Sequence, residues 1–209
     1  MKSWVDNGWM NGASALIIRN GKVVYYKSAG FNDLDSRVPL AKDGIFRIAS
    51  QTKAITSVAA MILYEEGKFL LDDPVSKYIP AFKGQTVGLE RAAVTREMTI
   101  QDLMRHTSGL TYGNRGKSEI YKMYPESSNE ASVTLTMDEF MEKLAKAPLL
   151  YQPGTQWEYS LSTDALGRIV EVVTGKPLQE LLAERIYRPL NMTDTAFVVS
   201  ADKRMRLAQ

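Results

Sequence analysis

Two short apolar runs near the start of the chain predict a β-hairpin. Residues 13–18 and 23–28 are extended and mostly apolar, and an Asn-Gly pair lies in the four residues between them. Asn-Gly favours a tight turn between strands because both turn positions require a positive φ angle. We expect a loop rich in Asn, Asp and Gly over 30–43, followed by a short strand or extended lead-in at 45–48.

The hydrophobic pattern then changes to that of helices. From 54 to 66, apolar residues recur three and four positions apart and cover nearly the whole circumference, which is typical of a helix buried in the body of a protein. Capping residues and apolar spacing predict further helices over 99–109, 136–147, 165–173 and 177–187. The Ser- and Asn-rich stretch 112–133 is expected to form an ordered surface loop or a lid.

The predicted strands are too few for a stable sheet. Two strands open the chain, almost everything after them is helical, and an isolated two-stranded hairpin is marginal in water. The apolar triplet 197–199 is too short to supply what is needed. We therefore expect an α/β (α+β) fold whose sheet is incomplete, with residues 1–50 in a sheet domain and residues 51–209 in a helical region.

Composition and charge exclude several classes of function. The chain has 26 Lys plus Arg and 24 Asp plus Glu, a net charge of +2, and the basic residues are scattered, so no nucleic-acid partner is expected. It has no cysteine and one histidine, His106, which excludes a thiol nucleophile and a zinc site built mainly from thiolates or imidazoles. No metal and no other cofactor are expected.

The apolar runs do not predict a membrane partner. The longest plainly apolar run, 59–64, is far shorter than the roughly 20 residues that span a bilayer. The polar start of the chain lacks the apolar stretch of a signal peptide. Cytoplasmic and periplasmic locations both remain open.

The motif Ser50-Gln51-Thr52-Lys53 stands at the start of the apolar helix. Residues three apart share a helix face, so Ser50 Oγ and the Lys53 ammonium can approach each other. Burial is expected to favour neutral lysine, which could accept the serine proton, and the helix N-terminus offers N–H groups to an oxyanion. The alternative interpretation is that Ser50 caps the helix and Lys53 is a surface lysine.

A second Ser-x-x-Lys match and an aromatic segment complete the candidate chemistry. Ser200 to Lys203 lies among charged residues and is interpreted as a solvated terminal segment. After a Pro-Gly turn at 153–154, Tyr159 could place a phenolic oxygen in a site as a base or proton relay, or pack as an ordinary aromatic. The chain has no Gly-x-Ser-x-Gly elbow, so an α/β-hydrolase triad with His106 is not expected.

These features together resemble the serine hydrolases of the class C β-lactamase and D-alanyl-D-alanine carboxypeptidase group. The resemblance covers nearly the whole chain, and it is carried in order by segments 46–53, 65–75, 99–110, 153–155 and 188–195. It implies a β-lactamase/transpeptidase-like fold, in which an antiparallel sheet is flanked by helices and accompanied by a helical region. It also implies that Ser50 is the acylated nucleophile and that Lys53 is its partner. Tyr159 is then the base, and it also protonates the leaving group. In that family the segment around His106 is mainly structural.

One departure from the family pattern bears on the substrate. The β-lactamases have Tyr-x-Asn, whereas this chain has Leu161 two residues after Tyr159, so an amide donor is missing. The chain resembles the family VIII carboxylesterases more closely here, and leucine would make the pocket more apolar. Short-chain carboxylic esters are the expected substrates, with Leu161, Tyr112 and Trp157 as substrate-binding residues; core packing is the alternative for the two aromatic residues.

Three alternatives to the esterase remain open from the sequence. The first is a β-lactamase or D-Ala-D-Ala carboxypeptidase, and the second is a non-catalytic penicillin-binding-like protein. The third is an inactive fragment, because the family's last motif, of the Lys-Thr-Gly, His-x-Gly or Trp-x-Gly type on a C-terminal strand, has no match. We therefore expect the N-terminal portion of a longer hydrolase. Its expected partner is a small ester or acyl substrate, and a second chain supplying the C-terminal strands is left open.

Overall fold

The computed structural model describes residues 1–208; Gln209, the last residue of the predicted helical region, lies outside the described residues. The chain divides into two compact units. One comprises Met1–Ala49 together with the chain from Thr193 onward, and the other comprises Ser50–Met192. The structure thus differs from the sequence-based division at the C-terminal end, since the last residues belong with the N-terminal strands.

The first unit is built on a three-stranded antiparallel sheet in the order β1-β2-β3. Its elements are α1 Lys2–Asp6, β1 Gly12–Arg19, β2 Lys22–Asp33 and β3 Val38–Pro39. The predicted hairpin is confirmed, and both Asn20 and Gly21 have positive φ angles, of 49° and 71°. The loop predicted over 30–43 is wrong in part, because β2 continues into it and β3 lies within it.

The short strand or extended lead-in predicted at 45–48 forms no regular strand, and its one strand-like pairing is a parallel bridge between Ile45 and Leu207. The Ile45 N–H donates to the carbonyl of Arg206 at 2.7 Å, and the Ala208 N–H donates to the carbonyl of Ile45 at 2.8 Å. The pairing partner lies near the other end of the chain. Local sequence patterns carry no information about so distant a partner.

The second unit is mainly helical. Among its described residues, β4 and β5 form one two-stranded antiparallel sheet. Its elements are α2 Thr52–Glu65, β4 Thr86–Val87, β5 Ala92–Ala93, α3 Ile100–Arg105, α4 Ser128–Thr134, α5 Met137–Lys146, α6 Ser162–Thr174 and α7 Leu178–Leu182. Every predicted helix is present, although α3 ends earlier than expected and α7 passes into a π-helical turn over Ala183–Tyr187. Capping boxes form at Thr99 and Thr136, as their spacing from Asp102 and Glu139 predicts.

One large hydrophobic cluster packs the helices of the second unit. Buried leucines from α2, α3, α5 and α6 meet in it: Leu63, Leu103, Leu144 and Leu166. The stretch 112–133, predicted as a surface loop or lid, also contributes to this core, since Tyr124 and Ala131 are buried in it. Its polar composition hid these apolar positions, and α4, which begins within this stretch, was not predicted.

The helix α2 is less buried than its apolar sequence predicts. Ala59, Ala60 and Leu63 are buried, but Val58 on another face is 51% exposed. Within residues 1–208, no helix combines the length and apolar character that crossing a bilayer requires.

Candidate active site

Ser50 lies at the entry to α2. It is the middle residue of a 3-10 turn, Ala49–Gln51, that runs directly into the helix, and its side chain is exposed. The N-cap of α2 is Gln51, and no side chain caps the helix. The alternative that Ser50 serves as the cap is therefore wrong. Ser50 immediately precedes the start of a helix, the place where free N–H groups are concentrated.

Lys53 and Tyr159 converge on Ser50. The Nζ of Lys53 lies 3.5 Å from Ser50 Oγ, and the hydroxyl of Tyr159 donates to the same Oγ at 2.5 Å. The Lys53 ammonium also lies 4.8 Å from the centroid of the Tyr159 ring. The structure thus brings together the three predicted catalytic side chains, although Tyr159 is 109 positions from Ser50 in the chain.

The pKa values of Lys53 and Tyr159 shift in opposite directions. Partial burial acts to lower the pKa of Lys53, but hydrogen bonds with Tyr159 and Tyr112 outweigh it and raise the pKa above its usual value. Burial acts to raise the pKa of Tyr159, but hydrogen bonds with Lys53 and Ser50 outweigh it and lower that pKa. The expectation of a neutral Lys53 is therefore wrong: lysine is held charged, and the phenol loses its proton more easily than usual.

The segment that carries Tyr159, residues 150–160, is held against the turn after α3. We call it the tyrosine segment. The Gly154 N–H donates to the carbonyl of Thr107 at 2.7 Å, and the Glu158 N–H donates to the carbonyl of His106 at 2.9 Å. His106 ends α3 with a left-handed conformation, at φ 56° and ψ 38°. The backbone of this turn therefore sets the position of the tyrosine.

Three rings surround the ring of Tyr159. The centroid of His106 lies 4.9 Å away, that of Tyr112 5.7 Å and that of Trp157 6.4 Å. Of the two predicted substrate-binding aromatics, Trp157 is 62% exposed and Tyr112 is buried at 8%. Both lie beside the tyrosine, but only Trp157 presents a large surface to solvent.

Leu161 lies in a different environment from the one its predicted role requires. Its side chain is fully buried within the hydrophobic cluster, at the residue that precedes α6. Leu161 therefore cannot line an open pocket, and its predicted role as a substrate-binding residue is wrong. The turn from the tyrosine segment into the helix directs this position into the core.

Two neighbours of the site were not predicted from the sequence. His106 contacts Tyr159 through its ring, and Asp164 lies in the first turn of α6. Burial raises the pKa of the Asp164 carboxyl, opposed by a hydrogen bond from Ser128 and the charge of Lys53. In the sequence, one feature points to Asp164 as a neighbour of the site: it follows the tyrosine motif closely, at the start of a predicted helix. Among the described residues no group of three or more His, Cys, Asp or Glu could hold a metal ion.

The second Ser-x-x-Lys match directs its lysine elsewhere. Lys203 Nζ donates to the carbonyl of Thr193 at 2.7 Å and lies 3.0 Å from a carboxylate oxygen of Asp194. Its ammonium is thus engaged by an acidic side chain and a carbonyl rather than by Ser200. This match provides an internal control for the first.

Comparisons with known proteins agree on the fold. Residues 1–209 match the model of the family described as Beta-lactamase. Esterase EstB of Burkholderia gladioli is 35% identical over 194 residues, covering 92% of this chain and 48% of that protein. The structure described as EstCE1, a hydrolase with promiscuous acyltransferase activity, is 30% identical with a TM-score of 0.86, covering 99% of this chain and 53% of that one.

The name of a third similar protein contains both activities of the first alternative to the esterase, β-lactamase and D-alanine carboxypeptidase. The beta-lactamase/D-alanine carboxypeptidase of Yersinia pestis is 28% identical with a TM-score of 0.76, and the match covers 98% of this chain and 55% of that one. The chain spans about half the length of these relatives. The predicted β-lactamase/transpeptidase-like fold class is confirmed.

Proposed function

We propose that this chain, which belongs to the β-lactamase family, hydrolyses short-chain carboxylic esters through an acyl-enzyme on Ser50. The observation that carries the proposal is the convergence of the Tyr159 hydroxyl and the Lys53 ammonium on Ser50 Oγ, at 2.5 and 3.5 Å. The names of the similar proteins EstB and EstCE1, an esterase and a hydrolase, support the same class of reaction.

The acylation step begins once Tyr159 has lost the proton that its hydroxyl donates to Ser50 Oγ and is a phenolate. Burial acts to raise the pKa of this phenol, but the charged Lys53 beside it and Ser50 outweigh burial and lower the pKa. Ser50 Oγ attacks the ester carbonyl carbon while its proton passes to Tyr159, forming a tetrahedral oxyanion. The N–H groups at the start of α2 stabilise that oxyanion. Collapse breaks the bond to the alcohol oxygen, which leaves with the proton held by Tyr159.

The deacylation step reverses these roles. A water molecule gives its proton to Tyr159 and attacks the carbonyl carbon of the Ser50 ester. The new tetrahedral intermediate releases the carboxylic acid, and Tyr159 returns its proton to Ser50 Oγ. Lys53 keeps its charge throughout and stabilises the phenolate in each half of the cycle.

Two features favour simple esters over β-lactams as substrates. Leu161 stands two residues after Tyr159 and is buried in the core, so this position offers no amide side chain to a substrate. Trp157, 62% exposed and 6.4 Å from Tyr159 between ring centroids, offers an apolar surface for an acyl or alcohol group. The Yersinia pestis relative makes β-lactams and D-Ala-D-Ala peptides the substrates to compare.

The test is covalent labelling of the chain with a p-nitrophenyl phosphonate, followed by intact-mass analysis. We expect one adduct, which Ser50→Ala abolishes. Ser200→Ala is the matched control, because it removes the serine of the other Ser-x-x-Lys match, and its labelling should equal that of the unmodified chain.

The same chain is then assayed with p-nitrophenyl esters of increasing acyl length, nitrocefin and a D-Ala-D-Ala peptide. Faster turnover of the short esters supports the proposal. A label that persists in Ser50→Ala rules out the assignment of the nucleophile. No label on the unmodified chain contradicts the proposed activity of this chain and favours the inactive fragment. Faster turnover of nitrocefin or the peptide contradicts the ester preference alone.

A further inference from the structure

A chain of buried hydroxyl groups ends at His106, beside Tyr159. Ser108 Oγ lies 2.7 Å from Ser162 Oγ, which lies 2.6 Å from Ser160 Oγ. Ser160 Oγ in turn lies 3.2 Å from His106 Nδ1. All three serines are fully buried. The proposed reaction uses none of these groups, so their arrangement requires a separate explanation.

The hydrogen bonds at Nδ1 determine the protonation of His106. The backbone N–H of Ser160 donates to this nitrogen at 3.2 Å. A ring nitrogen that accepts such a bond carries no proton, so the imidazole is neutral and its proton resides on Nε2. The titratable groups that face the ring are Lys53 from α2 and Tyr159 from the tyrosine segment. Burial, and then the Lys53 charge, lower the pKa of His106 and act in the same sense as the hydrogen bond.

The ring of His106 packs on the ring of Tyr159. The two centroids lie 4.9 Å apart with 36° between the planes. Trp157 packs edge-on against the same imidazole, with centroids 6.3 Å apart. The carbonyl of His106 accepts the Glu158 N–H at 2.9 Å, so the residue holds the tyrosine segment through both its backbone and its side chain.

We propose that His106 is a positioning residue: a neutral imidazole, anchored at Nδ1 by Ser160, that holds the Tyr159 phenol in place against Ser50 Oγ. The proposal deepens the proposed function and rests on it for its effect on rate. The tautomer and the ring contact are testable without any turnover.

The first test is NMR of the imidazole. The chain has one histidine, so its ring signals require no assignment. We expect ¹⁵N shifts of the Nε2–H tautomer, with conversion to imidazolium only at a lower pH than for an ordinary histidine, because burial and the Lys53 charge lower the pKa of His106. Lys53→Met should raise the pH at which the ring titrates, because a positive charge is removed.

The ring contact is tested with a matched pair of variants. Tyr159→Leu should shift the imidazole ring protons, because the ring current of the phenol is lost. Tyr64→Leu is the control, since Tyr64 packs on Phe69 near the other end of α2. An Nδ1–H tautomer, an ordinary titration, or ring protons that Tyr159→Leu leaves unmoved would each overturn the proposal.

The second test separates the ring from the hydrogen bond. His106→Asn retains an acceptor near Nδ1 and suits the left-handed backbone, but it removes the ring. His106→Phe retains a ring without an acceptor. We expect His106→Asn to lower the maximal rate of phosphonate labelling of Ser50 about tenfold or more, since small misplacements of reacting groups cost up to ~10²-fold. The reagent concentration at half-maximal rate should stay unchanged, and His106→Phe should recover part of the rate.

Thermal unfolding of both variants excludes a general loss of structure. Wild-type labelling in His106→Asn would overturn the positioning role, and so would equal losses in both variants that follow their melting temperatures. If the unmodified chain takes no label, the proposed function fails together with the effect of His106 on rate. The NMR result then still decides the tautomer and the ring contact.

Discussion

Lys53 and Tyr159 each stabilise the charged form of the other. The ammonium lies 4.8 Å from the centroid of the phenol ring, and both polar groups reach Ser50 Oγ. Burial favours the neutral form of both groups, but Tyr159 and Tyr112 outweigh it at Lys53, and Lys53 and Ser50 outweigh it at Tyr159. The phenolate is therefore the base in the proposed reaction, and the lysine is the charge that makes it available.

Replacing Lys53 should move the pH dependence of the reaction. Activity requires deprotonated Tyr159, so the rate rises as the pH passes through the pKa of that phenol. Burial acts to raise this pKa, and Lys53 is one of the groups that outweigh burial and lower it. In Lys53→Met this rise should shift to higher pH, whereas Lys53→Arg, which keeps the charge, should shift it less. The measurement is the labelling rate of Ser50 against pH, with tyrosinate absorbance as a direct readout. An unchanged profile in Lys53→Met would identify some other group as the base.

At the scale of elements, Asp102 joins the start of α3 to the site. Its side chain is 5% exposed and accepts hydrogen bonds from Arg96 at 2.6 and 3.0 Å, from Thr99 and from Thr107. Thr107 in turn accepts the N–H of Gly154, so one carboxylate braces both the helix and the tyrosine segment.

Replacing Asp102 should destabilise the fold in a pH-dependent way. Burial acts to raise its pKa, but the bonds from Arg96, Thr99 and Thr107 outweigh this and lower it. A carboxyl group whose pKa is lower in the folded state stabilises the fold at every pH above its pKa in the unfolded chain, about 3.9. This stabilisation is lost as the pH falls through the pKa in the folded state. We expect Asp102→Asn to cost about 2 kcal/mol of unfolding free energy at neutral pH and to flatten the loss of stability in acid.

The measurement for Asp102 is urea unfolding from pH 2 to 7. Asp6→Asn is the matched control, because Asp6 pairs with Lys2 at 2.7 Å on the surface, where such pairs contribute little. Equal unfolding curves for the two variants would show that the Asp102 network does not support the fold.

At the scale of the whole molecule, the first unit leaves its strands uncovered. Apolar side chains of β1 and β2 are 52 to 60% exposed: Leu16, Ile17, Ile18, Val23 and Val24. Successive residues point to opposite faces of a strand, so both faces of the hairpin present apolar surface. Contiguous apolar surface of this kind favours association with another surface.

The 209-residue chain should therefore bind a hydrophobic dye and self-associate as its concentration rises. We expect the double variant Ile18→Thr, Val23→Thr to reduce both effects, since it removes two adjacent apolar groups from the hairpin. Leu190→Thr is the control, because Leu190 is 67% exposed but lies outside these strands. Analytical ultracentrifugation and dye fluorescence measure the outcome, and equal association by all three proteins would contradict the role of the hairpin.

The sequence by itself determined the features that depend on near neighbours in the chain. The hairpin follows from the turn chemistry of Asn20 and Gly21, and α3 and α5 follow from capping boxes three residues apart. The approach of Lys53 to Ser50 follows from helical spacing. Tyr159 was identified through a resemblance in motif, because nothing local connects it to a serine 109 positions away.

Only the tertiary structure decided the features that depend on distant groups. The bridge of Ile45 to Leu207, the burial of Leu161 and the contact of His106 with Tyr159 each join segments far apart in sequence or depend on what packs around them. The protonation of Lys53 is the sharpest case, since the sequence predicted burial and hence neutrality. Burial does act in that direction, but the phenols of Tyr159 and Tyr112, which only folding brings within reach, outweigh it.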